Sequence, residues 1–200
     1  GYSTGHRRYS AIQSRRVFRY QPGRISGFTF GLRSSTEPVS GIALEWGIAN
    51  RTDQYVFKIY AGQLSIVRRS TVPLSREVLV RNGLDPSEIS SVQINGTTYN
   101  TVQPQIPSGD PFAVNDDGGP LGDESRALLF HTIEIPRDKF NGDPLNGNGP
   151  SGYTIRPEKV TMWKIEFGWY GAIGARFYAY IPAGNGEARW VVIHTLVIEN

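Results

Sequence analysis

No cysteine occurs among the 200 residues. That absence excludes disulfides, thiol nucleophiles and cysteine-ligated zinc. It leaves the compartment open, because a protein assembled in a cytosol and later exposed outside a cell gains from having no thiols. No apolar run approaches the ~20 residues of a membrane-spanning helix, so membrane insertion is not expected. There is no signal-peptide pattern and no initiating methionine, and strand-like sequence runs almost to Asn200; the native polypeptide is expected to be longer at both ends. No heptad and no solenoid-type repeat is present. Acids are missing from residues 1–36, which carry seven arginines and no lysine. Since the whole chain is +3, residues 37–200 are net negative by four. Such asymmetry bears on intermolecular contact more than on fold.

Turns and aromatics are plentiful. With 23 glycines, 13 prolines and 12% aromatic residues, the composition suits short strands joined by turns. The last forty residues organise the rest. Trp163, Ile165, Phe167 and Trp169 recur at every second position, the pattern of a strand with one buried face. After a turn at Gly171–Gly174, Phe177, Ala179 and Ile181 alternate with Arg176, Tyr178 and Tyr180. A second turn leads to a third run in which Trp190, Val192 and Leu196 alternate with Val191, Ile193 and Val197, apolar on both faces. Three strands joined by short turns make an antiparallel meander. A second meander begins with Ile42, Leu44, Trp46 and Ile48 and continues through residues 54–60 and 64–69.

Residues 1–14 read as an N-terminal arm, and 15–200 as one domain with an irregular, loop-rich excursion over 70–127. Arg15–Tyr20 reads as an edge strand, and the stretch around Phe28 and Phe30 as a second strand. Pro73–Val80 suits either a strand or a short helix. Asp85-Pro86-Ser87-Glu88 has the form of a helix start. A small hairpin is expected around Asn95-Gly96. Residues 103–123 and 141–152 are loops rich in Gly, Pro and Asp or Asn. The expected fold class is all-β: an antiparallel β-sandwich of jelly-roll or concanavalin-lectin-like type with long loops, a single barrel being the alternative.

Two stretches carry a resemblance. One is Phe18-Arg19-Tyr20-Gln21-Pro22-Gly23, followed by the Phe28/Phe30 strand. The other is Gly147-Asn148-Gly149-Pro150-Ser151-Gly152 leading into Phe167-Gly168-Trp169-Tyr170-Gly171. In order and rough spacing they resemble a module of virion structural proteins from large tailed bacteriophages, of the T4-like and marine kinds. There an FRYQPG-like run opens the module and a GxGPSG…FxWxG run closes it. The resemblance implies a virion component that works by assembly, in a tail, baseplate or fibre more than in a capsid. It brings no catalytic residues, and the excursion over 70–127 departs from its pattern.

The residues themselves suggest little chemistry. His6, His131 and His194 are scattered, with no second ligand at metal spacing, and His194 reads as a core or edge residue. No Gly-x-Ser-x-Gly elbow is present. Glu45, Glu134 and Glu166 sit on polar positions of strands and form no acid-x-acid motif, so a polysaccharide-cleaving enzyme is the weakest reading. Asn115–Gly119 with Asp123 and Glu124 offers oxygen ligands for calcium, but without EF-hand spacing, and reads first as a solvated acidic loop. The expectation is therefore no enzyme, no cofactor, no metal and no nucleic-acid partner. Candidate partner-binding residues are Arg7, Arg8, Arg15 and Arg16 in the basic arm, Asp116 and Asp117 in the acidic loop, and Tyr178 and Tyr180 on the polar face of their strand. Partners would be copies of the chain and other virion proteins. Host-surface glycan is the alternative, through a carbohydrate-binding attachment module.

Overall fold

Alternation at period two decides which side chains meet across the middle of this protein. The structure is a computed structural model that describes residues 12, 14, 24–34, 43–49, 53–70, 74–94, 97–102, 131–168, 174–182 and 185–198. Among them are ten strands: β1 (Ile25–Leu32), β2 (Ala43–Ala49), β3 (Asp53–Tyr60), β4 (Gln63–Ser70), β5 (Ile89–Ile94), β6 (Thr97–Val102), β7 (His131–Pro136), β8 (Thr161–Gly168), β9 (Ala175–Pro182) and β10 (Ala188–Leu196). One short helix, α1 (Arg76–Arg81), lies between β4 and β5. The expected strand at 15–20, most of the arm, the acidic loop at 110–124 and the pair Trp169 and Tyr170 fall outside the described residues.

The strands form two antiparallel four-stranded sheets, ordered β1-β8-β9-β10 and β2-β3-β4-β7, with β5 and β6 as a separate hairpin. The first sheet holds the C-terminal meander, extended by β1. The second holds the meander β2-β3-β4, closed by β7. One core joins them, as an all-β sandwich requires. Its centre is aromatic. The Trp46 ring lies 5.5 Å from that of Phe57 and 5.2 Å from that of Trp163. Phe57 in turn meets Trp163 at 4.8 Å and Phe177 edge-on at 5.3 Å. Each contact to Trp163 or Phe177 crosses from one sheet to the other, at separations typical of favourable aromatic pairs.

Part of the excursion over 70–127 is regular. Ser75 caps α1 by accepting from the Val78 N–H, and Val78 and Leu79 are buried in the common core. Asp85 caps a single 3-10 turn, Pro86–Glu88. The hairpin β5-β6 pairs from Ile89↔Val102 to Ile94↔Thr97, leaving a two-residue connection at 95–96. Buried Asn82, just past α1, fastens this region to the end of β10: its amide donates to the Val197 carbonyl at 2.8 Å and accepts from the Val197 N–H at 2.7 Å.

A bulge in β10 departs from the expected alternation. Val192 pairs with Tyr178, but His194 pairs with Phe177, so one extra residue is inserted. Trp190 and Val192 therefore face outward while Leu196 faces the core, although sequence parity places all three together. The strap Asn141–Asp143 covers the bulged edge. Gly142 N–H donates to the Ile193 carbonyl at 3.1 Å and Asp143 N–H to the Val192 carbonyl at 3.0 Å. Asn141 brackets Thr195, donating to its carbonyl and accepting from its N–H, each at 2.8 Å. A Cβ at Gly142 would run into the Val192 carbonyl oxygen, so only glycine fits there. Beyond the strap, the buried Asp143 carboxylate accepts from the Leu145 N–H at 2.8 Å and the Ser151 N–H at 2.7 Å, which closes the glycine-rich loop on itself.

Two expectations follow. Trp163→Ala removes the ring that bridges the sheets and should cost about 3–5 kcal/mol; a urea midpoint unchanged by it would contradict this core. The second concerns His194, which is fully buried and accepts the Asn141 N–H on Nδ1 at 3.2 Å. Burial lowers its pKa from 6.5 to about 4. Between those values the unfolded chain holds a proton that the folded chain lacks, so stability should fall as pH drops from about 6.5 to about 4, at up to about 1.4 kcal/mol per pH unit. His194→Gln should flatten that part of the stability–pH curve, and an equally steep curve in the variant would count against His194 as its source.

Candidate functional site

The outer face of the sheet β1-β8-β9-β10 is where side chains suited to recognition gather. Because the register runs unbroken across β1, β8 and β9, outward residues fall into cross-strand rows. The first row is Gly31, Met162, Tyr180 and Trp190. The second is Thr29, Lys164, Tyr178 and Val192, and the third is Gly27, Glu166, Arg176 and Thr195. The bulge in β10 keeps Val192 in its row and returns Thr195 to the third.

The first row is an aromatic and apolar shelf in open solvent. Met162 is 42% exposed, Tyr180 37% and, beside it, Val192 39%. The Tyr180 and Trp190 rings contact each other at 5.1 Å. Neighbouring exposed apolar residues of this kind mark interaction surfaces, and Met, Tyr, Trp and Arg are the types enriched there.

The second and third rows are electrostatically linked. Lys164 Nζ bonds Glu166 Oε1 at 2.8 Å, and the Tyr178 hydroxyl donates to Glu166 Oε2 at 2.7 Å. The same ammonium lies 4.1 Å from the Tyr178 ring centre and 5.0 Å from that of Trp190, within cation–π range. Partial burial acts to raise the Glu166 pKa. The hydrogen bonds from Lys164 and Tyr178, with the charges of Lys164 and Arg176, outweigh it and hold the carboxyl below its ordinary value. Burial, and then the bond to Glu166, push the Tyr178 hydroxyl up. At neutral pH the face therefore presents a fixed carboxylate, two cations and a neutral phenol. The edge toward β1 is low, because Gly27 and Gly31 carry no side chain; a Cβ at Gly31 would meet nothing within 4 Å.

The opposite face, on β2-β3-β4-β7, is largely buried, with Gln54, Val56, Val67 and Arg69 each at most 3% exposed, and its charges are internally paired. Arg69 makes a two-pronged bond to Glu45, at 2.7 and 2.9 Å, and also donates to Gln54 at 3.1 Å. Lys58 bonds Glu134 at 2.6 Å, and the Ser65 hydroxyl donates to the same carboxylate at 2.7 Å. The Glu45 and Arg69 side chains are only 8% and 4% exposed. Glu45 and Glu134 stand three strands apart, about 14 Å between backbones, and each is neutralised by its own cation. Glu166 is on the other side of the sandwich. The paired carboxylates of a glycosidase lie roughly 5–9.5 Å apart.

Of the candidate partner-binding residues, Tyr178 and Tyr180 lie on the outer face, one in the ion network and one on the shelf. Arg7, Arg8, Arg15, Arg16, Asp116 and Asp117 lie outside the described residues. Sequence reasoning passed over Met162, Lys164, Trp190 and Val192. The alternation that separates Tyr178 from Phe177 also separates Met162 from Trp163, so combining those parities with the hairpin register would have found the first two. Among the described residues no group of three or more His, Asp or Glu is placed to hold a metal, and no helix is long and apolar enough to cross a membrane. Comparison of this chain with protein-family models, with curated proteins and with solved structures returns no match.

Proposed function

We propose that this chain is a non-enzymatic structural component of a tailed-phage virion, acting by protein–protein assembly through the outer face of β1-β8-β9-β10. The observation that carries the reading is the exposed shelf of Met162, Tyr180 and Val192, where the Tyr180 ring meets that of Trp190. Burying such side chains against a partner gains roughly 25 cal/mol per Å² of apolar surface. The motif resemblance supplies the virion context, with tail, baseplate or fibre preferred to capsid and assembly in the host cytoplasm. Partners are copies of the chain and other virion proteins.

Host attachment through a glycan is the second reading, since aromatic shelves also stack on sugars. Two features make it second. The outward rows contain no Asn or Gln to read sugar hydroxyls. The Lys164 ammonium already sits against Tyr178 and Trp190. A catalytic role draws no support from carboxylates that are each paired with a cation.

The test is the triple substitution Met162→Ser, Tyr180→Ser, Trp190→Ser. The variant should keep the wild-type circular dichroism spectrum and fail to enter particles when it replaces the wild-type chain during virion assembly. Normal incorporation of the folded variant would overturn the assembly reading. Wild-type binding to isolated host-surface polysaccharide that the triple variant loses, with normal particle formation, would assign attachment instead.

A further inference from the structure

We infer that the outer face of β1-β8-β9-β10 pairs with the same face of a second copy, about a two-fold axis running parallel to the strands between β8 and β9. The inference rests on the assembly reading above and names its partner. Such an axis keeps each cross-strand row opposite itself and reverses its order, so β8 faces the second copy's β9 and β1 faces its β10. In the third row, Glu166 then stands opposite Arg176 of the second copy, and Arg176 opposite its Glu166. In the second row, Lys164 meets the second copy's Tyr178, the pairing it already makes within one chain. In the first row, Met162 meets Tyr180. At the rim Gly31, whose missing side chain leaves open space, receives Trp190, the largest residue on the face. Charge meets opposite charge, sulfur meets ring and bulk meets vacancy, as an isologous contact demands.

Another in-plane axis does not work. One perpendicular to the strands would lay the first row on the third and the second row on itself, setting Lys164 against Lys164 of the second copy and Met162 against its Glu166. Two sheets packed face to face sit about 10 Å apart with strands nearly aligned, which the chosen axis provides. Four strands by three rows cover about 19 by 20 Å, on the order of 400 Å² of each copy, against about 800 Å² per partner in a stable dimer. The contact is therefore weak for two free copies and becomes effective when many are held together, as in a particle.

Because the rows reverse across the axis, charge reversal gives a complementation test. Glu166→Arg alone places cation against cation, and Arg176→Glu alone places carboxylate against carboxylate. Each should weaken self-association by at least about tenfold in sedimentation velocity. Mixing the two folded variants should restore association as a heterodimer, and so should joining both changes in one chain. Gly31→Trp should also weaken association, since its ring would stand opposite Trp190 of the second copy, while a Cβ at that position meets nothing within 4 Å in its own fold. A wild-type chain that stays monomeric to about 1 mM, far above the concentration at which even weak contacts form, overturns the pairing, as does a mixture of the charge variants that fails to associate. Neither result touches the particle-incorporation test of Met162, Tyr180 and Trp190. Failure of self-pairing alone is thus distinguishable from failure of the assembly reading.

Discussion

The contact on which the rest of the structure depends is the meeting of Trp46, Phe57, Trp163 and Phe177 between the sheets. Phe57 is fully buried and touches the other three rings. Strand parity propagates from that point. If Trp163 faces the core, Met162, Lys164 and Glu166 must face solvent; if Phe177 does, so must Tyr178 and Tyr180. A slip of one residue in β8 or β9 would send the ion network inward and the aromatics outward. The rings thus choose the functional face as well as holding the sheets together.

A second constraint shapes the edge of that face. Without the bulge, β10 would carry Trp190, Val192, His194 and Leu196 on one side, and an imidazole would stand in solvent beside the shelf. With it, Ile193 and His194 are both buried, and Val192 alone follows Trp190 outward. The strap Asn141–Asp143 satisfies the carbonyls that the bulge exposes, and Gly142 is the residue small enough to approach them. The glycine-rich stretch after it is held by the Asp143 carboxylate, which gives its Gly and Ser residues a structural purpose apart from any binding role.

Much of this was legible where a single period governs. The β8 and β9 strands, the β2-β3-β4 meander and the buried positions of Trp46 and Trp163 follow from alternation alone. Asp85 announced a cap, although only one 3-10 turn follows it. What alternation does not carry is pairing between distant segments. Nothing local to Ile25–Leu32 states that it lies beside Thr161–Gly168, and nothing in Val191–Thr195 states that one residue is inserted. Tyr178 and Tyr180 could be read as outward-facing from their own strand. The row that links Tyr180 to Met162 and Trp190 exists only once three strands are in register.

The two outer faces differ in what they leave unfinished, and that difference locates the available binding energy. On β2-β3-β4-β7 the charges are enclosed and matched, so a partner arriving there would disturb bonds already made, at the cost of leaving a buried charge alone. On β1-β8-β9-β10 the one carboxylate is matched by Lys164, and what remains exposed is apolar or aromatic surface beside Arg176. Water leaving Met162, Tyr180 and Val192 yields a gain, and the flanking charges set the orientation of whatever replaces it.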